Sequence, residues 1–275
     1  MTYSGTFASF RNSKKMAAIL TVLLLVIVVS VFQPVFATTD KLDNFTCGPK
    51  LGGVWDSGSN TCTISRAITI DGTNSMSIVS GTTLAVTNSG KITVANINGT
   101  GIENHGIIDN SGKIIVANIN GTGIENHGGI DNSGKIIVAN INGTGIQNDN
   151  LEKHRFPMSQ IYNIGTIRNS GTITITTKEG YGISLFIRGV IDNSGTITIS
   201  NTGGNGVFLY TGGEFINEVR MTESAQLNRG VITIANTGGN GIENHEILDN
   251  RGTITISNTR GNGILNESNL INDGQ

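Results

Sequence analysis

The sequence has few charged or aromatic residues and almost no cysteine or proline. Of its 275 residues, 14% are charged and 5% are aromatic, and it has 2 cysteines and 3 prolines. The formal net charge is −2, so the chain lacks the basic surface that nucleic-acid binding requires. Cys47 and Cys62 have no histidine near them, and two ligands do not complete a tetrahedral metal site.

Glycine and β-branched residues are abundant instead. The chain has 38 glycines, its apolar residues are mainly isoleucine and valine rather than leucine, and much of the remainder is threonine and asparagine. β-Branched residues favour strands, whereas glycine and asparagine favour tight turns. The composition therefore predicts an all-β protein.

The N-terminal segment differs from the rest of the chain. An uncharged apolar run, Met16–Phe32, follows three basic residues, Arg11, Lys14 and Lys15. This pattern is typical of a signal peptide that is cleaved after Ala37, but the run is also long enough for an uncleaved membrane anchor. Either interpretation predicts an extracellular or cell-surface location, with membrane contact only through residues 16–32 if they are retained. Residues 38–275 have a formal charge of −5, from 15 basic and 20 acidic residues.

The two cysteines flank a short glycine-rich segment, GPKLGGVWDSGSNT. Export places the chain in a compartment where thiols oxidise. We therefore predict a disulfide between Cys47 and Cys62. The alternative is two reduced thiols.

The sequence repeats a unit of about 22 residues, which is the signature of a repeat architecture. The stretch NSGKITVANINGTGIENHGIID at residues 88–109 is followed by two near-identical copies and four diverged ones. The spacings between units are 22, 22, 37, 24, 35 and 22 residues. The units begin at Asn88, Asn110, Asn132, Asn169, Asn193, Asn228 and Asn250.

Three apolar positions recur in each unit, and polar residues alternate with them. This period of two predicts strands with one inward and one outward face. Two corner rows of asparagine are expected to stack from unit to unit. The first apolar row is Ile92, Ile114, Ile136, Ile173, Ile197, Ile232 and Ile254; the second is Val94, Val116, Val138, Ile175, Ile199, Ile234 and Ile256; the third is Ile108, Ile130, Ile167, Ile191, Leu227 and Leu248. The asparagine rows are Asn88, Asn110 and Asn132, and Asn104, Asn126 and Asn148.

Such a unit cannot bury its apolar face alone, but stacked copies about 4.8 Å apart can. Over residues 62–274 the chain resembles right-handed parallel β-helix proteins of the pectin-lyase-like class and repeat-rich bacterial or archaeal surface proteins. The resemblance implies an all-β fold, a single-stranded parallel β-helix (β-solenoid) of about 22 residues per coil and about eight coils, preceded by an N-terminal hydrophobic helix. The predicted segments are a signal peptide or anchor at 1–37, a disulfide-linked cap at 38–62, and the β-helix at 63–275 with insertions at 149–162 and 210–226.

Several repeated polar residues are candidates for chemistry. Aspartates in one slot could bind Ca²⁺ or supply acid and base groups on adjacent coils, as in a polysaccharide lyase or glycoside hydrolase acting near Asp192. However, Asp before Asn-Ser-Gly is also a turn former, and Arg168 occupies the same slot. The aspartates are Asp109, Asp131, Asp192 and Asp249. Because no full catalytic constellation is visible, we predict no enzymatic activity, no catalytic residue, no metal site and no cofactor.

Two further patterns have structural explanations. Glu-x-His pairs could gather a metal, and Thr-x-Thr pairs resemble the threonine arrays of ice-binding β-helices. Duplication of stacked surface residues explains the first pattern, and the preference of threonine for outward strand positions explains the second. The Glu-x-His pairs are Glu103 and His105, Glu125 and His127, and Glu243 and His245; the threonines are Thr172, Thr174, Thr196, Thr198, Thr253 and Thr255.

Five asparagines lie in N-glycosylation sequons, a pattern relevant to an exported chain. Three of them recur at one corner of the repeat, so glycosylation would place sugars in a stripe along it. Chance occurrence in an asparagine-rich turn is the alternative. The five are Asn44, Asn98, Asn120, Asn142 and Asn266.

The repeat breaks at one corner, between the second and third strands of the unit, and insertions confined to one face often form a binding surface. Seven of the nine aromatic residues beyond residue 37 lie between residues 156 and 215. We therefore predict a ligand-binding site for glycans or another surface protein, formed by Tyr181, Phe186, Arg188, Phe208, Tyr210, Phe215, Phe156 and Arg155. The alternative is that the aromatic residues only pack the insertions onto the solenoid. The last coil lacks a visible polar cap, which predicts either edge-to-edge stacking with a partner strand or a truncated gene product.

Overall fold

The structure is a computed structural model that describes residues 38–72, 74–148, 165–186, 189–210, 225–228 and 230–275. The predicted N-terminal helix and signal or anchor segment, and most of both predicted insertions, lie outside these residues. Among the residues that the structure describes, no helix is long and apolar enough to span a bilayer.

The N-terminal part contains strand β1 (Thr38–Lys41), a single helical turn α1 (Asn44–Cys47), and the antiparallel strands β2 (Val54–Asp56) and β3 (Thr61–Ile64). Cys47 and Cys62 form the predicted disulfide and are fully buried. Trp55 packs against the core from β2. β1 pairs in parallel with the first coil, and so does β3.

The remaining strands repeat in groups of three. In chain order they are β4 (Ala67–Asp71), β5 (Asn74–Ile78), β6 (Thr83–Val86), β7 (Lys91–Ala95), β8 (Ile102–Asn104), β9 (Ile107–Asn110), β10 (Lys113–Ala117), β11 (Ile124–Asn126), β12 (Gly129–Asn132), β13 (Lys135–Asn142), β14 (Ile146–Asn148), β15 (Thr166–Asn169), β16 (Thr172–Glu179), β17 (Ile183–Leu185), β18 (Val190–Asn193), β19 (Thr196–Ser200), β20 (Val207–Leu209), β21 (Ala225–Asn228), β22 (Val231–Thr237), β23 (Ile242–Asn244), β24 (Ile247–Asn250), β25 (Thr253–Thr259), β26 (Ile264–Asn266) and β27 (Asn269–Asn272).

Every third strand belongs to the same parallel sheet. Sheet 1 contains every third strand from β4 to β25. Sheet 2 contains every third strand from β5 to β26, with β1 at its edge. Sheet 3 contains every third strand from β6 to β27, with β3 and β2 at its edge. The chain therefore winds as a parallel β-solenoid of about seven turns, with about 24 residues per turn. The fold class predicted from the repeat is confirmed, and the longer average turn reflects the units with inserted residues.

The core is a set of inward aliphatic rows in register from coil to coil. In sheet 1, Ile114 lies opposite both Ile92 and Ile136, and Val116 lies opposite both Val94 and Val138. These six side chains are at most 1% exposed. Their neighbours in each strand point outward, which confirms the period-two alternation.

Asparagine ladders run inside the solenoid. Asn104 donates to Asn126, which donates to Asn148, at 2.6 and 2.7 Å. A second buried ladder runs through Asn110 and Asn132 into the later coils of sheet 3, again at 2.7 Å. A buried amide must be hydrogen-bonded, and the identical spacing of the repeats supplies the next amide as a partner.

Two of the predicted row assignments are wrong. Asn88 is not in the ladder, because the first unit has two extra residues at this corner and Val86 lies opposite Asn110 instead. Leu227 is not in the third apolar row, because alignment on Asn228 places Gln226 opposite Ile191 and Leu227 in the aspartate slot.

Glycine is required where backbones of neighbouring coils approach closely. Gly121 has a φ of 144°, and a Cβ there would lie 2.4 Å from the carbonyl oxygen of Gly99. No L side chain fits this corner without moving the backbone. Glycine at this position of the repeat therefore allows neighbouring coils to approach closely at the corner.

Candidate functional site

Four aromatic residues converge on the outer surface of sheet 2, and we call Tyr181, Phe186, Phe208 and Tyr210 the aromatic patch. Phe208 is the central, outward residue of β20, between the buried Val207 and Leu209. Phe186 and Tyr210 directly follow β17 and β20, and Tyr181 lies two residues before β17. Strand alternation thus directs Phe208 outward, and the adjoining corners bring the others beside it.

Phe208 contacts each of the other three rings. Tyr181 stacks on Phe208 with centroids 4.9 Å apart and planes 11° apart. Phe186 meets Tyr210 edge to face at 5.7 Å, and Phe208 lies 6.3 Å from Phe186 and 5.8 Å from Tyr210. Tyr210 is 44% exposed and the other three are partly buried. The patch is a continuous aromatic surface open to solvent.

A polar network adjoins the patch in the next coil. Glu243 lies directly opposite Phe208 in the sheet register. The side chains of Asn205 and Asn240 donate to Glu243 Oε2 at 2.9 and 2.7 Å. His245 Nε2 lies 3.0 Å from Glu243 Oε1. One edge of the aromatic surface is therefore lined by fixed hydrogen-bonding groups.

His245 connects this network to the aromatic rings. Its Nδ1 lies 3.0 Å from Glu267 Oε2, and its ring meets Phe208 edge to face at 5.8 Å. Burial opposes the ionisation of Glu243, but hydrogen bonds with His245, Asn240 and Asn205 outweigh burial and lower the pKa of this carboxyl. At neutral pH the polar edge of the patch therefore carries a carboxylate.

The patch lies where the inner asparagine ladder of sheet 2 is interrupted. Leu185 and Leu209 occupy the row of Asn148 and Asn244. Elsewhere the ladder amide closes a tight corner, as where Asn104 accepts a hydrogen bond from Gly106 N. Leucine cannot make this bond, and extra residues follow Leu185 and Leu209, as they also follow Asn148.

Of the eight predicted ligand-binding residues, the structure brings together Tyr181, Phe186, Phe208 and Tyr210. The other four, Arg155, Phe156, Arg188 and Phe215, lie outside the described residues. The predicted insertions connect β14 to β15 and β20 to β21. A third, shorter insertion lies between β17 and β18, in the unit with a spacing of 24 residues instead of 22. All three therefore join sheet 2 to sheet 3, at the corner expected from the repeat.

The aspartate slot forms a shallow groove on sheet 3. Asp131 lies opposite both Asp109 and Arg168, and Arg168 lies opposite Asp192. Arg168 Nη1 lies 3.2 Å from Asp131 Oδ1, so its cation offsets the charge of a carboxylate in the middle of the row. The groove has a volume of about 340 Å³ and is also lined by Ser133, Ser170 and Ser194.

In each Glu-x-His pair the histidine lies beside the glutamate of its own coil, and the pairs are not gathered around one point. His105 Nε2 lies 2.9 Å from Glu103, and His127 Nε2 lies 3.3 Å from Glu125. The rings of His105 and His127 stack at 4.7 Å. Among the described residues, no group of three or more His, Cys, Asp or Glu side chains is arranged to hold a metal ion.

Three of the glycosylation candidates form an exposed ladder. Asn120 Nδ2 donates to Asn98 and Asn142 Nδ2 donates to Asn120, both at 2.9 Å. Asn266 Nδ2 donates to Ser268 O at 2.7 Å, and the side chain of Asn44 lies outside the described part of the structure. One threonine row is interrupted, because Val231 separates Thr196 from Thr253, whereas the other continues through Thr174, Thr198, Thr233 and Thr255.

Sequence reasoning identified the aromatic patch but not its polar edge. Asn205 and Asn240 occupy one corner position of the repeat. The same position is occupied by Thr100 and Thr122 in the early repeats and by Tyr181 in the repeat before Asn205. This change of residue type within one slot was the available signal. Its meaning depends on Glu243, which lies three residues after Asn240 but one coil beyond Asn205.

No protein-family model matches this chain, and no curated protein or solved structure matches it.

Proposed function

We propose that this protein is a non-catalytic, exported β-solenoid that acts as a rigid surface spacer and binds glycans, or glycans on another surface protein, through the aromatic patch. The observation that carries the proposal is the contact of four aromatic rings beside the Glu243 network. Sugar rings present an apolar face that packs on aromatic side chains and hydroxyl groups that bond to fixed polar groups.

The alternative of simple packing is weakened by the exposure of Tyr210. Aromatic residues that only anchor an insertion are expected to be covered by it, whereas Tyr210 is 44% exposed. The Glu243 network also supplies acceptors in fixed positions next to the rings. Both features suit recognition of a polar ligand with apolar faces.

Glycan binding is tested with Tyr181→Ala and Tyr210→Ala in the full exported chain. An array of neutral and acidic glycans identifies a ligand, and calorimetry then measures its affinity for each variant. We expect each substitution to weaken binding by about fivefold to tenfold, because a lost aromatic stacking contact is worth about 1 kcal/mol. The control is Ile107→Ala, since Ile107 is 46% exposed but lies on sheet 3.

The melting temperature separates binding from packing. Weaker binding with an unchanged melting temperature supports the site, whereas lowered melting without any glycan binding contradicts it. A polysaccharide hydrolase or lyase is the rival function, because the groove on sheet 3 contains Asp192 and Arg168. Cleavage of an acidic polysaccharide, with or without Ca²⁺, that is abolished by Asp192→Ala would establish that rival.

A further inference from the structure

Three lysines form a row on the outer face of sheet 1, and we call Lys91, Lys113 and Lys135 the lysine row. Lys113 lies directly opposite both Lys91 and Lys135. Strands in a sheet are about 4.8 Å apart, so the row extends about 10 Å along the solenoid axis. It belongs to the near-identical repeats, on a different sheet and different coils from the aromatic patch.

No neighbouring carboxylate neutralises the lysine row. Within the described residues, the three ammonium groups have no hydrogen bond or ion pair. Asp109 and Asp131 precede Lys113 and Lys135 by four residues, but on sheet 3, and Asp131 pairs with Arg168. Like charges directly opposite one another disfavour a sheet, so fold stability does not account for the row.

The surface beside the lysines is flat and carries small or β-branched side chains. Ile115 and Ile137 lie opposite each other in the next outward row. The following outward row consists of alanines, Ala95, Ala117 and Ala139. Cations in line beside a shallow apolar strip complement a linear ligand that has regularly spaced anionic groups and flat rings.

We propose that the lysine row binds a linear acidic polysaccharide lying along the solenoid axis. In an extended chain of pyranose rings each ring advances the chain by a distance close to one coil, so anionic groups on successive rings or alternate rings meet successive lysines. The rings lie against Ile115 and Ile137. This site is separate from the aromatic patch, and its proposal does not depend on the proposed function.

The test compares two triple variants of equal charge. The row variant removes the lysine row and carries Lys91→Gln, Lys113→Gln and Lys135→Gln. The control variant removes three cations elsewhere and carries Lys50→Gln, Lys178→Gln and Arg260→Gln. The probe is carboxymethyl cellulose oligomers, with hydroxyethyl cellulose as the uncharged counterpart. We expect the row variant to bind the anionic probe about tenfold more weakly than wild type, and the control variant to retain most of the affinity.

Ionic strength and stability complete the test. Binding of the anionic probe should be lost near 1 M salt, where the screening length is about 3 Å, and the row variant should melt no lower than wild type. Equal losses in both triple variants, binding of the uncharged polymer, or tighter binding of duplex DNA than of the polysaccharide would each overturn the proposal. Retained probe binding in Tyr181→Ala would show that the two sites are distinct.

Discussion

Asparagine side chains form ladders both inside the solenoid and on its surface. Inside, Asn126 accepts from Asn104 and donates to Asn148, and all three residues are fully buried. Outside, Asn120 donates to Asn98 and accepts from Asn142. The geometry is similar, but only the outer amides can exchange the protein partner for water, so their energetic roles differ.

Replacing a buried ladder residue should therefore cost far more than replacing an exposed one. We expect Asn126→Ala to reduce the free energy of unfolding by about 2 to 4 kcal/mol, because it leaves Asn148 Oδ1 without its ladder donor. Asn120→Ala, the matched surface variant, should cost less than about 0.5 kcal/mol. Urea denaturation of both variants measures the difference, and similar midpoints would mean that water reaches the inner ladder.

The residue rows show how far sequence alone leads. The ladder of Asn104 and Asn126 was predictable, because identical residues at a fixed period must stack if the units stack. The absence of Asn88 from its row was not, since the length of one corner depends on how the first coil closes. The hydrogen bond from Asn205 to Glu243 joins residues 38 positions apart in the chain. A local sequence pattern cannot predict a contact over that separation.

Alternation within single strands decides which residues form the core. In β13, Ile136 is 1% exposed, whereas its neighbour Ile137 is only partly buried on the outer face. The two residues are chemically identical and adjacent, so they separate the effect of position from the effect of residue type. Period-two alternation was visible in the sequence, and it fixed the inward rows of sheet 1 correctly.

This pair gives a direct test of the strand's orientation. Ile136→Ala should reduce the free energy of unfolding by about 3 kcal/mol, because it leaves a cavity between two packed coils. Ile137→Ala should cost less than about 1 kcal/mol, since its side chain has solvent on one side. Thermal and urea unfolding of both variants check the prediction, and a larger effect at Ile137 would reverse the assigned faces.

The insertion corners and the aromatic residues beside them were predictable from the sequence, but the contacts between the rings were not. The sequence shows that aromatic residues concentrate near residues 156–215. It does not show that Tyr181 and Phe208 stack, because their contact depends on the stagger between a corner of one coil and a strand of the next. That stagger follows from the three-dimensional winding.

At the scale of the whole molecule, each coil contacts mainly the coils next to it. Parallel pairing links each strand only to the strand before and the strand after it in its sheet. Stability in such a molecule is close to a sum of coil and interface contributions. Perturbations at one end should therefore remain local.

The disulfide provides the test of this locality. Cys47→Ser with Cys62→Ser should destabilise the N-terminal end by about 3 kcal/mol, the value expected for a closed loop of this size. Hydrogen exchange should accelerate in β3 and β4 but not in β19 or β22. Wild type in reducing buffer should behave like the variant. Faster exchange along the full length would indicate one cooperative unit instead.

The inner asparagine ladder also determines which changes of length the gene can accept. Asn104 donates to Asn126 and Asn126 donates to Asn148, each the equivalent residue one unit further along, so the near-identical coils present the same joint to their successors. Duplication or loss of one complete 22-residue unit regenerates each joint, whereas any other insertion must leave through a corner. Recombination between the near-identical repeats can therefore lengthen or shorten the solenoid by whole coils without altering its cross-section.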